Sequence, residues 1–224
     1  MRIGIIGCGV ISKIYAERLK VFEGVEVTAC ADLQRETAER RAEKSGIPRV
    51  MTPTELLEAA DIDAVLNLTV PLAHDEVNRA ALEAGKHVYV EKPLAVDADD
   101  AAKTLALAED RKLRVGCAPD TFLGAGLQTC RSVIDSGAIG QPLAANAFFL
   151  SPGPEGWHPA PQFFYRRGGG PLLDMGPYYY TALISLLGPI ARVTGMSQAL
   201  RRERTIGSEP HRGETMPVEV PTHV

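Results

Sequence analysis

Cysteine, aromatic residues and net charge are all scarce in this chain. Its 224 residues include 4 Cys and 1 Trp, and only 6% are aromatic. Cys8, Cys30, Cys117 and Cys130 lie far apart, with no Cys-x-x-Cys pair and no His/Cys cluster of metal-ligand spacing. That argues against a disulfide framework and a metal site, and fits reduced thiols in a cytoplasmic protein. Cys8, Cys30 and Cys117 sit in apolar strand contexts and read as small core residues. The formal net charge is -4 and the pI is near 5.8, without a basic stripe. Arg40-Arg41, Arg166-Arg167 and Arg201-Arg202 are short and scattered, so neither nucleic acid nor an anionic membrane is an expected partner. No apolar run approaches the ~20 residues that cross a bilayer. The apolar N-terminal stretch is broken by glycine and followed at once by Lys13, Glu17, Arg18 and Lys20, unlike a signal peptide.

What remains is ordinary globular composition, 45% hydrophobic and 23% charged, enough for one large or two modest domains. Through the first half, short apolar runs alternate with amphipathic stretches: Ile3 to Ile6, a helix from Ile11 to Val21, Val25 to Ala31, and a charged helix from Arg35 to Lys44. Thr52 then caps a helix with Pro53 at its first position. Ala64 to Leu68 reads as a strand, Val77 to Ala84 as a helix, His87 to Val90 as a strand, Asp97 to about Arg111 as a capped helix, and Leu113 to Cys117 as the next strand. This βαβ rhythm predicts α/β architecture, a doubly wound parallel sheet over 1–120. After Asp120 the pattern changes to a helix over Leu127 to Ile134, a strand over Pro142 to Leu150 and a Pro/Gly/aromatic stretch from Ser151 to Gly170. A helix over Tyr178 to Leu187 and strands near Ile190 to Leu200 and Met216 to Val220 follow. The expectation for 121–224 is an α+β domain with a partial, mostly antiparallel sheet.

Gly7-Cys8-Gly9-Val10-Ile11-Ser12 follows a strand and opens a helix, with Asp32 at the end of the second strand. Two glycines permit a tight turn and close backbone approach to a pyrophosphate at the helix start. An ordinary βα turn or a methyltransferase can carry the same residues. Asp32 is placed to accept hydrogen bonds from an adenosine ribose and to repel a 2′-phosphate, favouring NAD; it can equally cap the next helix. Arg35 keeps NADP open. Thr69 and Pro71 end the next strand at the same edge, and His74 follows as a cofactor contact or a helix-start hydrogen bond.

Glu91-Lys92-Pro93 directly follows a strand, so a rigid proline sets a lysine at the strand's C-terminal end, where doubly wound sheets bind ligands. Lys92 can serve as proton donor to a carbonyl beside a nicotinamide, or simply pair with Glu91 at the surface. Further on, Gly168-Gly169-Gly170 reads as a flexible loop that delivers Asp174 and Tyr178 to the start of a helix; Asp174 can orient a substrate hydroxyl, act as an N-cap, or both. Trp157 and His158 offer a stacking face and a hydrogen-bonding group for a sugar, or an aromatic anchor for their own loop.

Together these residues resemble the glucose-fructose oxidoreductase / inositol dehydrogenase (Gfo/Idh/MocA) family along essentially the whole chain. The resemblance implies that Lys92 is the catalytic lysine of the Glu-Lys-Pro strand end. It also implies that Asp174 and Gly176 belong to the family's Asp-x-Gly-x-His motif, with Tyr178 in place of the histidine. The implied chemistry is reversible hydride transfer between NAD, or NADP, and a secondary hydroxyl of a sugar, polyol or related compound. Cofactor contacts are expected from Gly7, Gly9, Val10, Ile11, Asp32, Thr69, Pro71, His74, Glu91 and Lys92, substrate contacts from Lys92, Trp157, His158, Asp174 and Tyr178, and no metal. The family runs longer, with a C-terminal sheet that builds the dimer. A homo-oligomer through that sheet is therefore expected, as is a second domain shortened at its C-terminus. A nicotinamide-binding protein without turnover is the competing reading, and a lyase or hydrolase that uses bound NAD transiently is a third.

Overall fold

Arg2–Ile6 forms strand β1 because its apolar residues are buried on both faces of a sheet, the condition under which a strand reads as a continuous hydrophobic run. The computed structural model describes residues 1–224, which divide into two units, 1–118 and 119–224. In the first unit β1 is followed by α1 (Ser12–Arg18), β2 (Glu26–Ala31), α2 (Arg35–Ser45), β3 (Val50–Met51) and α3 (Pro53–Glu58). Then come β4 (Ala64–Asn67), α4 (His74–Glu83), β5 (His87–Val90), α5 (Ala98–Asp110) and β6 (Val115–Cys117). All neighbouring strands run parallel in the order β3-β2-β1-β4-β5-β6. Helices cover both faces: Ala16, Ala38 and Ala42 pack on Ile5, Cys30 and Leu66, while Leu56, Ala81, Leu82 and Ala108 pack on Ile6, Val65, Val88 and Val90.

Local chemistry sets the element ends. Thr52 and Glu55 form a reciprocal capping box with Pro53 in the first turn of α3. Gly46 closes α2 in the left-handed region at φ 69°. Chain order reverses between β1 and β4, which makes the C-terminal ends of those strands the crevice of the sheet.

The second unit contains α6 (Ala125–Asp135), α7 (Gly170–Asp174), α8 (Gly176–Leu187), β7 (Glu203–Thr205) and β8 (Thr215–Pro217). Its small core is Tyr165, Ile206 and Met216, with Phe164 and Val218 packed against them. The expected sheet is reduced to the antiparallel β7–β8 pair. Pro142 to Leu150 forms no strand, and Leu143, Phe148 and Leu150 are exposed, because no neighbouring strand supplies a ladder. Ile190 to Leu200 contributes only the isolated bridge from Gln198 to His223. The strand expected over Met216 to Val220 is β8, and its partner is the polar stretch Glu203–Thr205, whose composition gives no strand signal.

Candidate active site

The turn after β1 is built around Gly7. Its φ is +97°, and a Cβ there would stand 2.6 Å from the Leu68 backbone, so only glycine fits against the end of β4. Gly9 is the opposite case. A Cβ at Gly9 would meet nothing within 4 Å, which leaves open space beside the exposed backbone of Gly9, Val10 and Ile11, where a pyrophosphate can approach the first N–H groups of α1. Ser12, fully buried, donates to the Gly9 carbonyl at 2.7 Å and accepts from Arg41 Nε at 2.8 Å, so α2 braces the turn. Asp32 Oδ2 accepts the Cys8 N–H at 2.8 Å and Oδ1 accepts the Gln34 N–H at 2.9 Å. Asp32 is thus not the N-cap of α2, a position held by Gln34. Each carboxylate oxygen keeps a lone pair for a further donor such as a ribose hydroxyl. These residues fit a dinucleotide on an observation of their own: one glycine packed shut, the other open, with an acid at the adjoining strand end.

The next two strand ends continue the same edge of the sheet. Asn67 pairs with Val90 in register, and Glu91 N–H donates to the Asn67 carbonyl at 2.9 Å. Thr69, Pro71, Glu91 and Lys92 are half-buried there. The Glu91 carboxylate accepts the Tyr15 hydroxyl at 2.8 Å and the Lys92 N–H at 2.9 Å, so the side chain braces α1 and the turn that carries Lys92. His74 does not line the crevice. Its ring is 1% exposed, with Nδ1 2.6 Å from the Pro93 carbonyl and Nε2 3.1 Å from the Thr69 carbonyl. Burial holds the imidazole below its ordinary pKa, against the opposing pull of those two carbonyls and of Glu91. The expectation of a cofactor contact from His74 gives way to a buried bond that joins two loops.

In the second unit, Gly168 to Gly170 is packed rather than flexible. Gly168 and Gly170 are buried at positive φ, and a Cβ on Gly169 would strike the Phe163 carbonyl at 2.5 Å. Asp174 ends α7 and Gly176 starts α8, so Asp174 is not an N-cap; Met175 holds that position. A groove of about 860 Å³ is lined by Trp157, Asp174, Tyr179, Tyr180 and Leu183, whereas Tyr178 does not line it. Trp157 is 67% exposed, with its edge against His158 and Phe164. His158 packs between Trp157, Phe163 and Phe164 and accepts the Ala160 N–H at 3.0 Å, which makes it the anchor of its own loop. Burial lowers its pKa, against the opposing charge of Asp174.

Sequence reasoning missed Tyr15 and Asn78. Asn78 carried a signal, a polar residue one turn after His74 on the buried face of an amphipathic helix. Tyr15 carried none.

Comparison with known proteins follows these two units. Residues 1–118 match the family described as Oxidoreductase family, NAD-binding Rossmann fold, and residues 127–224 match the GFO/IDH/MocA C-terminal domain. A dTDP-3,4-didehydro-2,6-dideoxy-alpha-D-glucose 3-reductase of Streptomyces violaceoruber is 38% identical, over 87% of this chain and 57% of its own. Inositol 2-dehydrogenase 3 of Saccharopolyspora erythraea is 33% identical, over 71% of this chain and 48% of its own. The chain thus spans about half the length of these relatives. Among solved structures, a 3-ketoreductase from Actinomadura kijaniata in complex with TDP-benzene and NADP superposes with a TM-score of 0.68 at 31% identity, covering 84% of this chain and 56% of that one. No helix is long and apolar enough to cross a membrane. With both of its units matched, the chain belongs to the Gfo/Idh/MocA family of oxidoreductases.

Proposed function

We propose that this protein is an NAD(P)-dependent oxidoreductase acting on a secondary hydroxyl, or the corresponding ketone, of a sugar or polyol, with Lys92 as its acid/base. The observation that carries the reading is the placement of Lys92. It follows β5 at the C-terminal edge of the parallel sheet, one strand from the reversal at β1 and β4, on a backbone bonded on both sides. A bound nicotinamide supplies the hydride chemistry. Gly7 and Gly9 allow the backbone to meet the pyrophosphate, and Asp32 takes the ribose hydroxyls and favours NAD over NADP. Lys92 gives a proton to the reacting oxygen during ketone reduction and takes it back during alcohol oxidation. Within the second unit, Asp174 is the residue of the groove suited to hold a sugar hydroxyl and Trp157 offers an apolar sugar face a ring to stack on, whereas Tyr178, outside that groove, takes no role in this reading.

The test is dinucleotide-coupled turnover across a panel of inositols and dTDP-linked ketosugars, the classes named for the relatives, together with free sugars, with Lys92→Met beside the natural chain. General acid–base catalysis contributes about 10²-fold or more, so Lys92→Met should lose that much turnover while dinucleotide affinity stays within a few-fold. Near-normal turnover in the variant would remove Lys92 from the chemistry. Exposed Leu143, Phe148, Leu150 and Met196 support self-association through the second unit, which light scattering over a concentration series reads directly.

A further inference from the structure

His74 and Asn78 stand one turn apart on α4, both buried, and each holds a carbonyl in the segment immediately after Lys92. His74 Nδ1 lies 2.6 Å from the Pro93 carbonyl, and Asn78 Nδ2 donates to the Leu94 carbonyl at 3.3 Å. Asn67, at the end of β4, keys the pair together. Its Nδ2 donates to the His74 carbonyl at 3.1 Å and to Asn78 Oδ1 at 2.9 Å, while its Oδ1 accepts from the Thr69 N–H at 3.2 Å and the Thr69 hydroxyl at 2.7 Å. On the other side of Lys92, Glu91 N–H is held by the Asn67 carbonyl, and the Glu91 carboxylate takes the Lys92 N–H.

Asn67 and Asn78 are fully buried and His74 nearly so, on the same sheet and helix as the apolar residues Val65, Ala81 and Leu82. Burying polar groups costs free energy that partners only offset, and a well-packed apolar set of similar volume is often at least as stable. What the network adds is direction. Its outward bonds end on the Thr69 loop and on the Pro93-Leu94 segment, the stretches that flank Lys92 in space and in sequence. A neutral imidazole has a single N–H, and the shorter contact identifies Pro93 as its acceptor, leaving the longer one at Thr69.

We propose that His74 is the positioning residue of Lys92: through its bond to the Pro93 carbonyl, framed by Asn67 and Asn78, it fixes where the Lys92 ammonium stands. This rests on the assignment of Lys92 as the acid/base. An amide can replace either imidazole nitrogen, the Asn amide standing at Nδ1 and the Gln amide at Nε2. His74→Asn therefore keeps the bond to Pro93, and His74→Gln, whose amide stands on the Thr69 side, cuts it.

The experiment reads Lys92 without requiring turnover. Reductive ¹³C-methylation of the natural chain and both variants gives a Lys92 amine resonance, assigned by its loss in Lys92→Arg. The expected result is a wild-type Lys92 resonance in His74→Asn and a displaced one in His74→Gln. In parallel, turnover falls about 10-fold or more in His74→Gln with little change in KM, since an ångström of misplacement can cost about 10²-fold. If His74→Gln does not fold, Asn78→Ser removes the bond to Leu94 and should displace the same resonance. A Lys92 resonance unmoved in His74→Gln, or in Asn78→Ser where that stands in, overturns the proposal even if the melting temperature falls, because a purely structural role predicts that pattern. Absence of turnover across the whole panel in the natural chain overturns the enzymatic reading instead, and the resonance still decides the positioning one.

Discussion

Asp32 and Cys8 are joined by a hydrogen bond from the Cys8 backbone N–H to Asp32 Oδ2 at 2.8 Å, which ties the end of β2 to the glycine turn after β1. The acid proposed to discriminate between cofactors therefore also holds the turn proposed to approach them. Asp32→Ala should weaken NAD binding and narrow the preference for NAD over NADP, which a carboxylate sets at about 1 to 3 kcal/mol. Parallel titrations with the two dinucleotides check this. An unchanged ratio of affinities would assign the discrimination to Arg35 or Arg41 on α2.

Gly7 and Gly9 are two residues apart, and their surroundings predict opposite outcomes for the same substitution. A methyl at Gly7 collides with the Leu68 backbone at 2.6 Å and requires a positive φ, so Gly7→Ala should lower stability by about 2 kcal/mol or more. Gly9→Ala meets no neighbour within 4 Å and should fold normally while losing dinucleotide affinity, because the methyl takes up the open space beside the turn. Thermal unfolding and dinucleotide titration of both variants separate the effects. Loss of stability in both, or of binding in neither, would refute the assignment of roles.

The first unit was legible because its signals are local and mutually consistent: apolar runs for β1, β2 and β4, and Thr52 with Pro53 for the start of α3. Lys92 and Asp32 could be placed because strand ends in a parallel sheet share one edge. For His74 the sequence leaves a cofactor contact and a helix-start hydrogen bond open, because it cannot tell a histidine beneath a loop from one facing solvent; the carbonyls of Thr69 and Pro93, distant in the chain from each other, favour the hydrogen bond. In the second unit, Pro142 to Leu150 has strand-like composition, yet a strand exists only where another pairs with it. Glu203–Thr205 pairs despite its polarity because Ile206 and Met216 on the same hairpin are buried against Tyr165.

Burial lowers the pKa of His74 and, to a lesser degree of enclosure, of His158. In the unfolded chain both titrate near the ordinary value of about 6.5. Below that pH the unfolded state binds protons that the folded state resists, so stability rises with pH through this window and is complete above it. The urea midpoint should therefore drop between pH 7.5 and 5.5, well above the range in which Asp61 and Asp63, lowered by Arg49 and Arg2, begin to protonate. In a His74→Asn/His158→Gln double variant the drop should shrink. An equal drop in that variant would show that other groups carry the pH dependence.

Arg204 and Glu155 form the main ion pair of the second unit, with Nη2 2.7 Å from Oε1 and side-chain exposures of 21% and 15%. The Tyr165 hydroxyl donates to the other Glu155 oxygen, the guanidinium lies 5.6 Å from the Tyr165 ring centre, and Arg204 also donates to the Pro152 carbonyl. Burial first, and the Glu155 carboxylate second, push the Tyr165 phenol up to about 12, so it stays a donor across the physiological range. This cluster fastens the segment before Trp157 to the β7–β8 hairpin. Removing Arg204 leaves a largely buried carboxylate with one neutral donor, a loss of about 1 to 3 kcal/mol once partial exposure is allowed for. Replacing both partners by apolar residues relieves much of that cost, because no charge is then left uncompensated. Trp157 is the only tryptophan in the chain, so its fluorescence reports unfolding of the second unit. The fluorescence-detected urea midpoint should fall in Arg204→Met and recover in part in Arg204→Met/Glu155→Leu. A midpoint unchanged in Arg204→Met would mean that the hairpin and the Trp157 segment are held by the Tyr165, Ile206 and Met216 core alone.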